Sequence, residues 1–333
     1  MVEALLEVSR SLNYTDPGEM MNLAELALFA SERLDAKRYG REVMADVRAR
    51  AWAELANAHR VADDLGSAEQ AMCKAVSWQR RGSGDPLLLV RIADLMASLL
   101  ANQRRFSEAI ELQGKLQTFY LQRGDEHLAG RALIKEGMYT SDDNNFREAL
   151  FLIAEGLALI DLDRDEKLGL LAFNSLVTNM VKCGRLRQAR IHLWRGRALY
   201  QAYGDPLTLL RFDWLQAQIA AGLGDFERAE QGFLAIQQAF AEARQPYNAA
   251  LVGLDLAALW VTLGKTVLVR GLVEEMITTF RALRIAREAV AALLILREAC
   301  DREEATVERV RAVTMLLTEL ERQPARRSDD RRG

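Results

Sequence analysis

Apolar residues along this chain recur at helical spacing and never alternate over the length of a strand. Leu88, Val90, Ile92, Leu95, Met96, Leu99 and Leu100 make one such stripe; Phe233, Leu234, Ile236 and Phe240 make another. A longer rhythm lies over the helical one. A large apolar residue stands at 65, 106, 146, 186 and 226, and an alanine three places later at 68, 109, 149, 189 and 229. Gly84-Asp85, Gly124-Asp125, Arg164-Asp165 and Gly204-Asp205 keep the same beat. A fixed period of about 40 residues means stacked units, each burying its apolar face only against its neighbours.

About 20 residues separate each marker from the next signature, the length of a five-turn helix. Asp85 before Pro86 and Asp205 before Pro206 place a capping carboxylate ahead of a first-turn proline. Gly84, Gly124 and Gly204 suit a left-handed residue that ends the preceding helix. Each unit is thus a helical hairpin. The expected fold is all-α, a right-handed α-solenoid of about eight antiparallel hairpins in one repeat domain over 1–322. An irregular first hairpin covers 1–34, regular repeats 41–283 and a C-terminal cap 284–322, where Val307, Val310, Val313, Leu317 and Leu320 share one stripe. The tail, 323–333, has nothing apolar to bury and is expected to be disordered.

Composition narrows the class without naming a function. A formal charge of −3 exerts no general pull on nucleic acid or anionic membrane. Cys73, Cys183 and Cys300 are far apart and form no CxxC pair, which points to a reducing, cytoplasmic setting. No apolar run reaches the roughly 18 residues of a membrane helix. Acidic rather than basic flanks at Met1-Val2-Glu3 argue against a secretory signal. The first residues fall directly on a repeat helix, which leaves room for a preceding effector or DNA-binding segment.

Trp52, Leu55, Ala56 and His59, followed by Ala68 and Ala75, resemble the tetratricopeptide repeat pattern. His59 stands where that family usually has tyrosine, and the period is longer than the family's. Leu256, Ala257 and Trp260, Gly137, and Met96 with Ala97 carry the pattern in part in other repeats. Such lengthened repeats are similar to those of bacterial MalT-type regulators and quorum-peptide-binding regulators. The resemblance implies a helical-repeat fold that binds a protein or peptide in its concave groove.

Motifs for chemistry fall away on inspection. Gly264-Lys265-Thr266 lacks the upstream glycine of a phosphate loop, since that position is Leu259. Asp161, Asp163 and Asp165 have the start of a calcium loop, but Glu166 and Ala172 replace its glycine and its bidentate glutamate. His59, His127 and His192 fall at unrelated repeat positions with no nucleophile constellation. No catalytic residue, cofactor or metal site is expected, and the chain reads as a non-enzyme.

One column draws attention. Fifteen residues before each signature apolar stand Arg50, Arg91, Arg131, Leu171 and Arg211. Two turns further lie Asn57, Ser98, Thr178 and Gln218, and Trp214 falls one place off the family's core tryptophan. The candidate groove is therefore Arg50, Asn57, Arg91, Ser98, Arg131, Arg211, Trp214 and Gln218. A row of guanidinium forks suits an acidic or C-terminal peptide; alternatively each arginine serves a pair within its own helix, such as Arg50–Glu54 or Arg91–Asp94. Charge reversal at Arg91 and Arg131 is expected to abolish binding without lowering the melting temperature. The other four tryptophans are expected in the core. The reading is an interaction scaffold, or else the ligand- or peptide-sensing module of a bacterial signalling or transcription regulator.

Overall fold

The computed structural model describes residues 1–12, 16–283 and 287–321; the tail expected at 323–333 lies outside them. Among the described residues there are seventeen helices and no strand. They fall into two compact units, Met1–Asp161 and Leu162 onward. The first contains α1 (Val2–Ser11), α2 (Pro17–Glu32), α3 (Ala36–Tyr39), α4 (Arg41–Val61) and α5 (Leu65–Gln79). It continues with α6 (Pro86–Asn102), α7 (Phe106–Gln122), α8 (Glu126–Asp142) and α9 (Phe146–Leu159). The second contains α10 (Glu166–Lys182), α11 (Leu186–Tyr203), α12 (Pro206–Gly222) and α13 (Phe226–Glu242). After these come α14 (Pro246–Thr262), α15 (Thr266–Ala282), α16 (Arg287–Asp301) and α17 (Val307–Glu321).

Within each unit consecutive helices pack as hairpins, and first helices also pack on one another: α4 on α6, α10 on α12, α12 on α14. We call these first helices A and their partners B. The signature explains the hairpin. Its large residue opens the B helix at Leu65, Phe106, Phe146, Leu186 and Phe226. The alanine three places later is wholly buried in all five, and its small side chain lets B settle closely onto A.

The A-to-B turn repeats equally strictly. Asp63, Arg104, Asn144, Gly184, Gly224 and Gly264 all have left-handed φ. The next N–H reaches back five residues in each, from Asp64 to the His59 carbonyl at 2.9 Å and from Lys265 to that of Trp260 at 2.8 Å. This Schellman closure satisfies carbonyls that the helix end leaves bare. Three of the six left-handed residues are not glycine, so the turn hides from a search for glycine.

At four of the B-to-A turns an aspartate caps the A helix, and Gln245 stands in its place before α14. Asp85, Asp125, Asp165 and Asp205 accept from the N–H of Leu87, Leu128, Leu168 and Thr208. Gly84 and Gly124 have the expected left-handed φ, but Gly204 does not: its φ is −76°. A side chain there would run into the Tyr200 carbonyl, so the need at 204 is for space.

The two interiors differ. Around α4–α6 the core is rich in alanine (Ala49, Ala53, Ala56, Ala68, Ala71 and Ala75) with Met72, Leu88 and Leu99. Between α8 and α9, glycine brings the backbones together: a Cβ on Gly156 would stand 2.8 Å from the Gly130 carbonyl oxygen. The second unit instead packs Phe233, Phe240, Trp260 and Phe280 into one cluster. There α17 lies against α14 and buries Val310, Val313 and Leu317. No helix among the described residues is long and apolar enough to cross a membrane.

Candidate interaction faces on the repeat helices

In the first unit the arginine column lies along α4, α6 and α8, and its members reach between repeats. On α4 and α6 the arginine is followed, about one turn on, by an acid that the next A helix engages. Arg91 on α6 grips Glu54 on α4 with two bonds, at 2.9 and 3.0 Å. Arg10 on α1 donates to the same Glu54 at 2.9 Å, whose side chain is only 1% exposed. Asp94 on α6 receives Lys135 from α8 at 2.5 Å and stands 3.8 Å from Arg131. Arg50 closes the series by bonding Glu3 at 2.8 Å and approaching Asp85 at 3.7 Å.

Electrostatics follow from this crowding. Burial alone would push Asp94 up, but Lys135, Arg131 and Arg91 hold it far below the usual carboxylate range. Burial wins at Lys135, whose ammonium is pulled down despite its Asp94 partner. At Arg91 burial opposes the charge, yet the pull of Glu54 prevails and the value rises. A bidentate arginine on a buried acid is a structural tie.

Of the pairs expected within one helix, Arg91–Asp94 exists at 3.8 Å, whereas Arg50 turns to Glu3 and Asp85. The expected effect of reversing Arg91 therefore changes. An acid there would face the buried Glu54, so the melting temperature must fall as well. Among the described residues Arg131 makes only the long contact, and 39% of its side chain is exposed, so it is the cleaner probe.

Asn57 is buried, and its carbonyl oxygen accepts from Arg60 at 2.8 Å, one turn along α4. Ser98 pairs with the Tyr139 hydroxyl on α8 at 3.2 Å. Both polar positions above the arginine column thus have partners inside the unit.

In the second unit α12 carries Arg211, Trp214 and Gln218. Arg211 is exposed and has no ion pair among the described residues. Trp214 Nε1 and Gln218 Nε2 each donate to Asp255 Oδ2 on α14 at 2.7 Å, and Trp214 meets Phe240 edge-on at 6.1 Å. Asp255 has the place in this unit that Glu54 and Asp94 have in the other, but neutral donors hold it. Burial pushes its carboxyl up, against the opposing hydrogen bonds of Gln218 and Trp214 and the more distant Lys182 and Arg311. At the column's register in α10, Leu171 is 46% exposed.

The discarded motifs have plain roles. Gly264 is the left-handed residue of the α14–α15 turn, and Lys265 Nζ bonds Glu230 at 2.8 Å. Asp165 caps α10.

Sequence reasoning missed one feature. Trp194 on α11, expected in the core, is 74% exposed. The buried stripe of α11 is Ala189, Leu193, Gly196 and Tyr200; Trp194 stands one place off it. The periodicity alone could have shown this.

No family profile matches the sequence, and no curated protein resembles it in sequence. Solved structures do resemble it in fold. A Rap protein complexed with competence and sporulation factor superposes with a TM-score of 0.69 at 12% identity, over 96% of this chain and 87% of that one. The apo form of RapI gives 0.63 at 12% identity, over 85% and 98%. Aspartyl phosphate phosphatase F from Bacillus subtilis gives 0.58 at 12% identity, over 81% and 70%. At such identity the likeness is one of fold: this chain has the tetratricopeptide-like helical-repeat fold of the Rap proteins.

Proposed function

We propose that the chain is a non-enzymatic scaffold that binds a peptide or protein segment along its A helices. The observation that carries this reading is the division of labour along the column. Arg91 and Glu54 lock neighbouring helices, while at the same register Arg131 in the first unit makes only a 3.8 Å contact with Asp94 and Arg211 in the second is exposed with no ion pair among the described residues. On fixed helices such guanidinium forks, one in each unit, suit carboxylates, either side chains or a chain terminus. Trp214 and Gln218, held on Asp255, would form an ordered wall beside Arg211.

The finer form of this reading is a sensing module of a bacterial signalling or transcription regulator. It is favoured by the likeness to a Rap protein whose structure holds competence and sporulation factor. In an array where each repeat touches only its neighbours, a ligand spanning several repeats can bias their packing.

Selection of a random peptide library on the immobilised protein tests the proposal. The expected result is one enriched sequence class bearing carboxylates, with affinity reduced about tenfold or more by R131E and by R211E. Absence of any enriched class, or affinity indifferent to both substitutions, would overturn it.

A further inference from the structure

Two clefts open on the B-helix side, one in each unit, at the same place in the repeat. In the first unit the cleft is enclosed by α5, α6 and α7 and has a volume of about 360 Å³. In the second it is enclosed by α11, α12 and α13 and measures about 280 Å³. Many of their lining positions correspond, although Arg197 and Phe212 line only the second. Met72 matches Leu193, Met96 matches Gln216, and Leu99 matches Ile219, counted from the signature.

The rims differ in charge. Around the first cleft each charge has a partner: Arg105 with Glu108 at 2.6 Å, Lys115 with Glu111 at 2.6 Å, and Gln103 donating to Glu69 at 3.2 Å. At the register of Glu69 the second cleft has Arg190, and at that of Glu108 it has Arg228. Cys73 is replaced by Trp194. Arg190, Trp194 and Arg197 lie four and three residues apart on α11 and so share one stripe.

Neither Arg190 nor Arg228 has an ion pair among the described residues. Arg197 lies near Asp213, whose carboxyl is pushed up by burial against that cation's pull. One acid, Asp225, belongs to the lining itself. The floor is apolar, formed by Leu193, Phe212, Ile219 and Leu223.

We infer that the α11–α13 cleft is a second docking site, for an acidic peptide segment that inserts one aromatic or large aliphatic side chain. A cleft of about 280 Å³ is ample for one side chain. An apolar floor suits that side chain and disfavours a phosphate. Three guanidinium groups around it take flanking carboxylates bidentately, and an exposed tryptophan at the edge is the residue type that dominates binding hot spots. The site is on the B-helix side of the repeat and stands independently of the A-helix reading.

The test uses the full chain and a fluorescein-labelled peptide, acetyl-Glu-Asp-Glu-Phe-Leu-Asp-Glu-amide, followed by anisotropy. Saturable binding is expected, weakened about tenfold or more by W194A and by R190E/R228E, and unchanged by R211E on α12. Trp194 is exposed, so W194A should melt with the parent; if the double reversal fails to fold, W194A decides. Three results would overturn the inference: no saturable binding, equal binding of a peptide with lysine in place of every acid, or tighter binding of a single-stranded oligothymidylate. Weakening by R211E with W194A unaffected would also overturn it, since that pattern belongs to the A-helix face.

Discussion

The two units use one repeat but join successive repeats by opposite chemistry. In the first, A helices are tied by ions: Glu54 between Arg10 and Arg91, and Asp94 among Arg91, Arg131 and Lys135. Its α4–α6 core is rich in alanine and its α8–α9 contact is made at glycine, both of which bring helices close. In the second unit Asp255 is held by an indole and an amide, over a core that includes Phe233, Phe240, Trp260 and Phe280. Close backbones and buried ion ties join the A helices in one unit; neutral donors and larger side chains join α12 to α14 in the other. The lesson concerns the arginine column. Identical residues at identical registers differ by what faces them: Arg91 is bonded twice to Glu54, Arg131 stands 3.8 Å from Asp94, and Arg211 has no ion pair among the described residues.

The largest expected effect falls on the ion ladder. E54A strips the partner from Arg10 and Arg91 at once and should cost about 3 kcal/mol, the low end for a broken buried pair because both arginines keep some contact with water. Urea unfolding measures it. A loss below about 1 kcal/mol would mean the ladder is ornamental surface pairing.

Next comes the glycine contact. Alanine normally improves a helix by about 1 kcal/mol over glycine, but in G156A the new carbon meets the Gly130 carbonyl oxygen and Ile134 Cγ1 at 2.8 and 2.7 Å. Backbone cannot step aside cheaply, and overpacking of about 1–3 kcal/mol should win. A more stable G156A would show that α8 and α9 are free to separate.

One substitution made at two acids sharpens the contrast further. D94N should destabilise, because three cations lose their counter-charge. D255N should stabilise at neutral pH, because the asparagine carbonyl still accepts from Trp214 and Gln218 without a buried charge. The pH dependence has opposite signs. Asp94, held low when folded, contributes stability present above the unfolded carboxylate pKa and lost as pH falls through its depressed folded value. Asp255, held high, contributes stability present below about pH 4 and lost as pH rises through its raised folded value. The D255N advantage should therefore shrink to nothing on acidification. Melting curves from pH 4 to 7 check this, and a constant advantage would contradict it.

The smallest effect is expected of R211E. Its side chain is exposed and without an ion pair among the described residues, so stability should shift by no more than about 0.5 kcal/mol.

Much of the fold was legible because the signature serves local needs that recur in every repeat. Phe106 opens a B helix and Ala109 disappears beneath it; Asp125 and Asp165 cap, whatever lies around them. Handedness at the turns was less legible, since Asp63, Arg104 and Asn144 accept the left-handed conformation that Gly204, despite its identity, does not adopt. The column of arginines was visible, but not its partners. Glu54 and Asp255 stand at one register but Asp94 is one place off it, and the partners come from different helices and residue types, so counting alone did not find them. Trp194 was missed for a different reason: tryptophan is buried so often that its place one step off the α11 stripe was passed over.

Arginine footprinting tests the central claim most directly. The chain is modified with phenylglyoxal in the presence and absence of a library-selected peptide, and the adducts are located by mass spectrometry. Binding along the A helices predicts protection of Arg131 and Arg211, with Arg190 and Arg228 modified as before. Protection absent from both Arg131 and Arg211 would contradict it.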